Sequence, residues 1–331
     1  MTDTGPLFVS SGDLIADRRF KWALDQAARG DLAAAADILV QTVERTPAFA
    51  TAWFALGAIR DRLGEHGHAV TAFEKARDAD ADDYHGARLQ LARLGAGGDP
   101  TPAMSESYVR RLFDQYAARY DATLTGHLAY RGPELLFEAV AAVRREAHQS
   151  LRFAAMLDLG CGTGLAGGAF RPFTDRLTGV DLAPAMLAQA AAKRIYDRLV
   201  EGDIAGFLAR ETTQAGSYDL VVAADVFVYV NDAAAIIRAI VSVLRPAGVF
   251  AFTVETHAGA GIKLLPTLRY AYGEAYVKSA LASAKLDAAR LERCAVRTEK
   301  GEPVEGLLVV ATSPAGGIHI SQQQRHGTET S

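Results

Sequence analysis

The chain has 331 residues, half of them apolar, with a formal net charge of −4 and two cysteines, Cys161 and Cys294. That length supports more than one hydrophobic core, so two domains are expected, and the mild negative charge speaks against a broad nucleic-acid footprint. The cysteines lie far apart without metal-ligand spacing, the N-terminal stretch lacks the basic and long apolar regions of a signal peptide, and no apolar run approaches membrane-spanning length. These features predict a cytoplasmic protein with no metal site, no disulfide framework, no nucleic-acid partner and no membrane partner.

Residues 13–94 are alanine-rich and read as helices. From Ala50, the residues Trp53, Leu56, Gly57, Ala69, Phe73 and Ala76 recur at fixed offsets; about 34 residues earlier stand Trp22, Ala23, Ala35 and Leu39, with Pro47 at the unit's end. The pattern resembles the tetratricopeptide repeat. That resemblance implies a small all-α domain of stacked helix pairs, in which Gly57 and Ala69 let helices approach while Trp53 and Phe73 fill the space between units. A helical bundle of no special family fits the same residues. A further helix, Asp83 to Leu94, is expected to cap the open end of the stack. The family implies protein contact or self-association. Glycine and proline then break the periodicity over 95–104, which reads as a linker.

Residues 105–312 form the second domain, helical at first from Ser105 to Ala147. In "SYVRRLFDQYAARYDATL", Leu112, Phe113, Tyr116 and Tyr120 share one helical face with Arg110, Arg111 and Arg119 kept off it, the pattern of a lid. Apolar strands follow at Ala155–Leu159, Arg176–Asp181, Leu199–Gly202, Asp219–Ala224 and Val249–Glu255, with helical patterns between them. This alternation predicts a parallel sheet covered on both faces. "LERCAVRTEK" and "EGLLVVAT" around "GEP" read as a terminal antiparallel hairpin. The polar residues 313–331 read as a disordered tail.

In such a sheet a ligand sits beyond the C-terminal strand ends. The run "MLDLGCGTGLAGGAF" follows the first strand directly, so Gly160, Gly162 and Gly164 are expected to clear space for a ligand, with backbone N–H groups supplied by the next helix. Asp181, at the end of the second strand, suits the two hydroxyls of a ribose. The ligand therefore carries a nucleoside. A dinucleotide site would bring G-x-G-x-x-G, but Leu165 stands where its last glycine belongs.

"LDLGCGTG", "TGVDLAPAML", "EGDI", "YDLVVAADVFVYV" and "LRPAGVFAFTVE", in that order, resemble the successive motifs of class I S-adenosylmethionine-dependent methyltransferases. With the repeats, the chain is similar to bacterial tetratricopeptide-repeat methyltransferases. The resemblance implies a Rossmann-like seven-stranded methyltransferase sheet in an α/β domain, and S-adenosyl-L-methionine as cofactor. It assigns Asp158, Gly160, Gly162 and the backbone around Cys161 to the methionine portion, and Asp181 to the ribose. Leu182 and Met186 would pack near the adenine, Asp203 would accept from its amino group, and Ile204 would lie on its face. Ala224 or Asp225 would face the charged end of the methionine, and Tyr116 and Tyr120 of the lid would cover it. Cys161 has no neighbouring base and reads as a packed thiol.

A sulfonium is an activated methyl donor, so orientation carries much of the rate, and a base is needed only for an acceptor that must lose a proton. The catalytic candidates are His257, by its near-neutral intrinsic pKa, and Tyr229; a lone loop histidine is more commonly a solvated or hydrogen-bonded bystander, and Tyr229 suits a pocket wall equally. Asp225 and Glu255 also stand at strand ends. Arg269, Tyr270 and Tyr272 in "IKLLPTLRYAYGEAYVKSAL" would meet the acceptor or else belong to a plain insertion, and His127, Tyr130 and Arg131 face the same choice. Three functions fit: methyl transfer to a small molecule with the repeats serving dimerisation or partner docking, protein methylation with the repeats recruiting the polypeptide, and dinucleotide-dependent oxidoreduction, which Leu165 and the later motifs disfavour.

Overall fold

A computed structural model of the chain describes residues 8–211, 216–299 and 301–315, without the side chains of Thr125 and His127. Its first part is two helical hairpins, α1 (Leu14–Ala28) with α2 (Leu32–Arg45) and α3 (Ala50–Arg62) with α4 (His66–Ala79). Each hairpin turns at a glycine held at positive φ, Gly30 and Gly64, 34 residues apart. Asp13 and Asp31 cap α1 and α2 by accepting from backbone N–H groups of the first turn. Phe20, Leu39, Phe49 and Leu56 fill the core between hairpins. Gly57 permits the close packing expected of it, since a Cβ there would lie 2.7 Å from the ring of Phe73. Trp22 does not fill the stack: it is 56% exposed on α1. Trp53 is half-buried and donates from Nε1 to the Pro47 carbonyl at 2.8 Å. The capping helix is α5 (Ala87–Arg93), shorter than expected, with Leu91 packed near Phe73.

The linker is not a free tether. Thr101 O accepts from Asn231 Nδ2 at 3.0 Å, Pro102 O accepts from the Tyr270 hydroxyl, and Met104 packs on the core of the second domain. The chain then enters α6 (Glu106–Tyr116), capped by Ser105, and continues through a tight 3-10 turn at Ala117–Arg119, a single helical turn α7 (Tyr120–Ala122) and a wide π turn at Thr123–His127 before α8 (Gly132–Glu146).

The sheet is built from β1 (Phe153–Leu159), β2 (Thr174–Asp181), β3 (Arg198–Glu201), β4 (Tyr218–Ala223) and β5 (Leu244–His257), all parallel in the order β3-β2-β1-β4-β5. Along them run α9 (Leu165–Phe170), α10 (Pro184–Ala192), α11 (Ile204–Glu211) and α12 (Ala233–Val243). Successive side chains of these apolar strands point to opposite faces, so each strand serves two cores. Leu157, Val221, Phe250 and Phe252 meet α11 and α12, whereas Met156, Leu220, Val222 and Ala251 meet α8 and α9.

The described residues form nine strands, not the seven expected. Between β5 and the terminal hairpin, β6 (Ile262–Leu264) and β7 (Tyr270–Gly273) make a small pair, followed by α13 (Glu274–Ser283). β5 is long enough to take further partners on both edges: β7 runs parallel along Glu255–His257, beyond the end of β4, and β9 (Glu302–Thr312) runs antiparallel along Val249–Glu255 on the other edge, so that Glu255 is paired on both sides. β8 (Asp287–Glu299) pairs with β9, completing the expected hairpin. Residues 316–331 of the expected tail lie outside the described residues. Ser313 is tied down, donating from its amide to Gly248 O at 2.9 Å and from its hydroxyl to Arg245 O at 2.6 Å, so the ordered chain passes the boundary expected at 312. No described helix is long and apolar enough to cross a membrane.

Candidate active site

A crevice of about 310 Å³ opens at the C-terminal ends of β1, β2 and β4, under α6. Gly160, Gly162, Asp181, Leu182, Asp203, Ile204, Ala224, Asp225 and Tyr229 line it, all named from the sequence as site residues. A smaller compartment of about 30 Å³ continues behind the glycine loop, between Asp158, Cys161, Thr163, Tyr120 and Tyr130. Tyr120, Gly160, Gly162 and Ala224 line both.

The three glycines divide their work. All have positive φ, at 61°, 53° and 91° for Gly160, Gly162 and Gly164. Of the three, only Gly162 has open space where a side chain would start: an added Cβ would meet nothing nearer than Tyr120 at 3.9 Å. At Gly160 a Cβ would strike Val226 at 2.6 Å, and at Gly164 it would reach Tyr196 at 2.9 Å. Gly167 and Gly179 abut the same tyrosine, at 2.3 and 2.8 Å. These glycines form a slot for Tyr196, whose hydroxyl donates to Asp158 Oδ2 at 2.7 Å. Tyr196 is a site residue that sequence reading missed; its only trace is a set of glycines in excess of what the turn requires.

Asp158 is 1% exposed, and its Oδ1 has no hydrogen-bond partner. Burial raises its carboxyl to about 7, against the opposing pull of the Tyr196 hydroxyl and the Gly167 amide. Asp181 accepts from Gly162 N through Oδ2 and from Ala183 N through Oδ1, both at 2.8 Å, which ties the glycine loop to the end of β2. A carboxylate retains further acceptor capacity beyond two such bonds, so both oxygens remain available to a diol. Asp203 caps α11 through Gly206 N at 2.7 Å while facing the crevice. Burial drives the Cys161 thiol well above its ordinary range, which makes it a packed, unreactive group.

Three expected positions are corrected. Met186 is fully buried among Ala117, Ala183 and Phe113 beneath the lid and does not line the crevice. Tyr116 also lies off the crevice, with the Arg119 guanidinium 5.1 Å from its ring; the register of the lid turns Tyr120 inward instead. His257 lies outside it too: Gly259 N donates to its Nδ1 at 3.0 Å and Nε2 stands 3.3 Å from Gly261 O, so the ring belongs to its own turn. Tyr270 and Tyr272 are fully buried, with the Tyr272 hydroxyl on Phe227 O at 2.9 Å, and do not line the crevice. The side chain of His127 lies outside the described residues. Tyr130 lines the small compartment.

Behind the crevice wall is an ion cluster the sequence did not reveal. Arg297 of β8 has no exposed side-chain surface and donates from Nη1 to both oxygens of Asp225 at 2.6 and 2.8 Å, from Nε to Glu299 at 3.1 Å, and from Nη2 to Glu255. Arg269 donates to Glu299 and lies 3.5 Å from Glu255. Asp225 itself has φ +59°, a left-handed turn that aspartate tolerates better than most residues. Its carboxylate is therefore committed to the cluster rather than free to act as a base. Burial raises the Tyr229 hydroxyl above its ordinary pKa, so it keeps its proton at neutral pH.

Residues 157–250, which run from the end of β1 to the middle of β5 and include most of the crevice lining, match the family described as a methyltransferase domain. The α/β part of this chain thus carries a methyltransferase domain. Among curated proteins, the ubiquinone biosynthesis O-methyltransferase of Xanthomonas axonopodis pv. citri is 30% identical over 153 residues, 45% of this chain and 62% of that protein. The chain spans between half and two thirds of the length of such relatives. Among solved structures, the [4+2]-cyclase SpnF aligns with a TM-score of 0.51 at 16% identity, over 65% of this chain and 99% of the cyclase, which shows the shared fold. The Burkholderia thailandensis 1,6-didemethyltoxoflavin-N1-methyltransferase, solved with S-adenosylhomocysteine, aligns at a TM-score of 0.48 and 19% identity over 66% of this chain and 94% of that one.

Proposed function

We propose that the whole chain is a cytoplasmic S-adenosylmethionine-dependent methyltransferase acting on a small molecule through an oxygen acceptor, as the name of its ubiquinone-biosynthesis relative states for that protein. The observation that carries the reading is the unpartnered, buried Oδ1 of Asp158 in the compartment behind Gly162. An orphaned buried carboxylate oxygen calls for a donor, and the ammonium of a methionine moiety is one. Asp181 suits the ribose hydroxyls, while Leu182, Ile204 and Asp203 suit the adenine. The residues present therefore fit the cofactor. Both cysteines are free, which suits a reducing compartment.

When bound, the cofactor supplies an activated methyl group. The chain's own contribution is to orient and to exclude water. Tyr120 and Phe113 roof the crevice, and Tyr229 stands edge-on to Phe113 at 5.0 Å. With His257 in its own turn and Asp225 paired to Arg297, neither of these strand-end candidates serves as a free base; Tyr229 acts as a wall and hydrogen-bond donor that orients the acceptor oxygen. The helical hairpins are read as tetratricopeptide repeats that dock a partner or a second copy. Titration calorimetry with S-adenosylhomocysteine and with NAD tests the reading: S-adenosylhomocysteine should bind and NAD should not, and the reverse result would overturn it.

A further inference from the structure

α6 has two working faces. Glu106, Val109 and Phe113, spaced by three and four residues, line the crevice. The cap and the opposite face are held by the helical domain. Ser105 Oγ donates to Asp83 O at 3.1 Å and Arg111 Nε donates to Tyr84 O at 2.9 Å. The Arg111 guanidinium lies 5.4 and 5.3 Å from the rings of Tyr84 and Tyr108. Tyr108 is 8% exposed and sits on Gly86, where φ is +77° and an added Cβ would come within 2.7 Å of its ring.

The loop that receives this face is itself rigid. Asp83 caps α5 by accepting from Ala87 N at 2.7 Å, and His85, stacked 5.4 Å from Phe54, meets Thr51 Oγ1 of α3 at 3.1 Å. Ala103 and Met104, just ahead of α6, also line the crevice. A close-packed helix engaged on both sides transmits displacement from one to the other. Neither Tyr108 nor Arg111 lines the crevice.

We infer that α6 couples the two domains, so that occupancy of the crevice and binding of a partner on the helical domain alter one another's affinity, with Tyr108 and Arg111 as positioning residues. Such coupling is reciprocal by thermodynamic necessity. The inference rests on the methyltransferase reading for its probe, S-adenosylhomocysteine.

The test is amide hydrogen exchange of the full chain, with and without S-adenosylhomocysteine, followed over α5. Occupancy should slow exchange there by about fivefold or more, and Tyr108→Ala or Arg111→Ala should remove that slowing and weaken S-adenosylhomocysteine binding by roughly 5- to 50-fold. Tyr108→Phe keeps the ring and should restore both. Wild-type protein that binds S-adenosylhomocysteine with no change at α5 overturns the coupling, a result that stands even where an alanine variant fails to fold. Failure of the wild type to bind S-adenosylhomocysteine at all would overturn the methyltransferase reading, and this inference with it.

Discussion

Asp158 and Asp181 stand at neighbouring strand ends but do different work. Asp181 accepts two backbone amides, from the glycine loop and from its own turn, so it shapes the site besides the ribose role proposed for it. Charged hydrogen bonds of this kind contribute about 1.5–3 kcal/mol each, so Asp181→Ala is expected to weaken S-adenosylhomocysteine roughly 10- to 100-fold by calorimetry. Asp158 is held by one tyrosine and is raised from its ordinary 3.8 to about 7. Its ionised form attracts an ammonium, so S-adenosylhomocysteine affinity should fall as pH drops below about 7, and Asp158→Asn should lack that dependence. The stability sign is opposite. Between 3.8 and about 7 the folded chain holds a proton that the unfolded chain has released, so this group subtracts stability as pH rises through that window. The melting temperature of Asp158→Asn relative to wild type should accordingly climb from pH 5 to pH 8, and a flat difference would contradict it.

At the scale of elements, the ion cluster joins the ends of β4 and β5 to β8 and to the residue before β7. Two arginines face three carboxylates, Asp225, Glu255 and Glu299, with Arg297 fully buried among them. Removing one buried partner leaves uncompensated charge, so Arg297→Ala should cost about 3–5 kcal/mol in denaturant unfolding. A loss under about 1 kcal/mol would mean the cluster is wetter than its burial indicates. None of this was legible in the chain, because these residues come from four separated stretches whose local patterns are ordinary strand and loop. The strands themselves were legible: five parallel strands and the terminal hairpin were expected from apolar runs and turn residues. β6 and β7 were not, since such short strands carry too few residues to establish a period, and their tyrosines fit a helical insertion equally. The exposure of Trp22 has a similar origin: an internal unit buries the matching position against a preceding one, and α1 begins the described stack.

For the whole molecule, the linker and α6 line one side of the crevice while α6 is held from its other side by Asp83 and Tyr84 of the helical domain. A ligand that binds only the folded state stabilises it by RT ln(1 + [L]/Kd). S-adenosylhomocysteine at a hundred times its Kd should therefore add about 2.7 kcal/mol to the unfolding free energy in urea titration, with NAD adding nothing. The sequence by itself determined the α/β fold class of the second domain and where its crevice lies: strand periodicity, the glycine loop and the strand-end aspartates are local, and each follows from residues a few positions apart. Only the tertiary structure decided which of those residues face the ligand. It turned Tyr120 inward and Tyr116 out, set Met186 beneath the lid, and left His257 in its own turn. Such choices depend on the register of the lid and on which distant strands meet at a sheet edge, and packing across the whole fold decides them where no local pattern does.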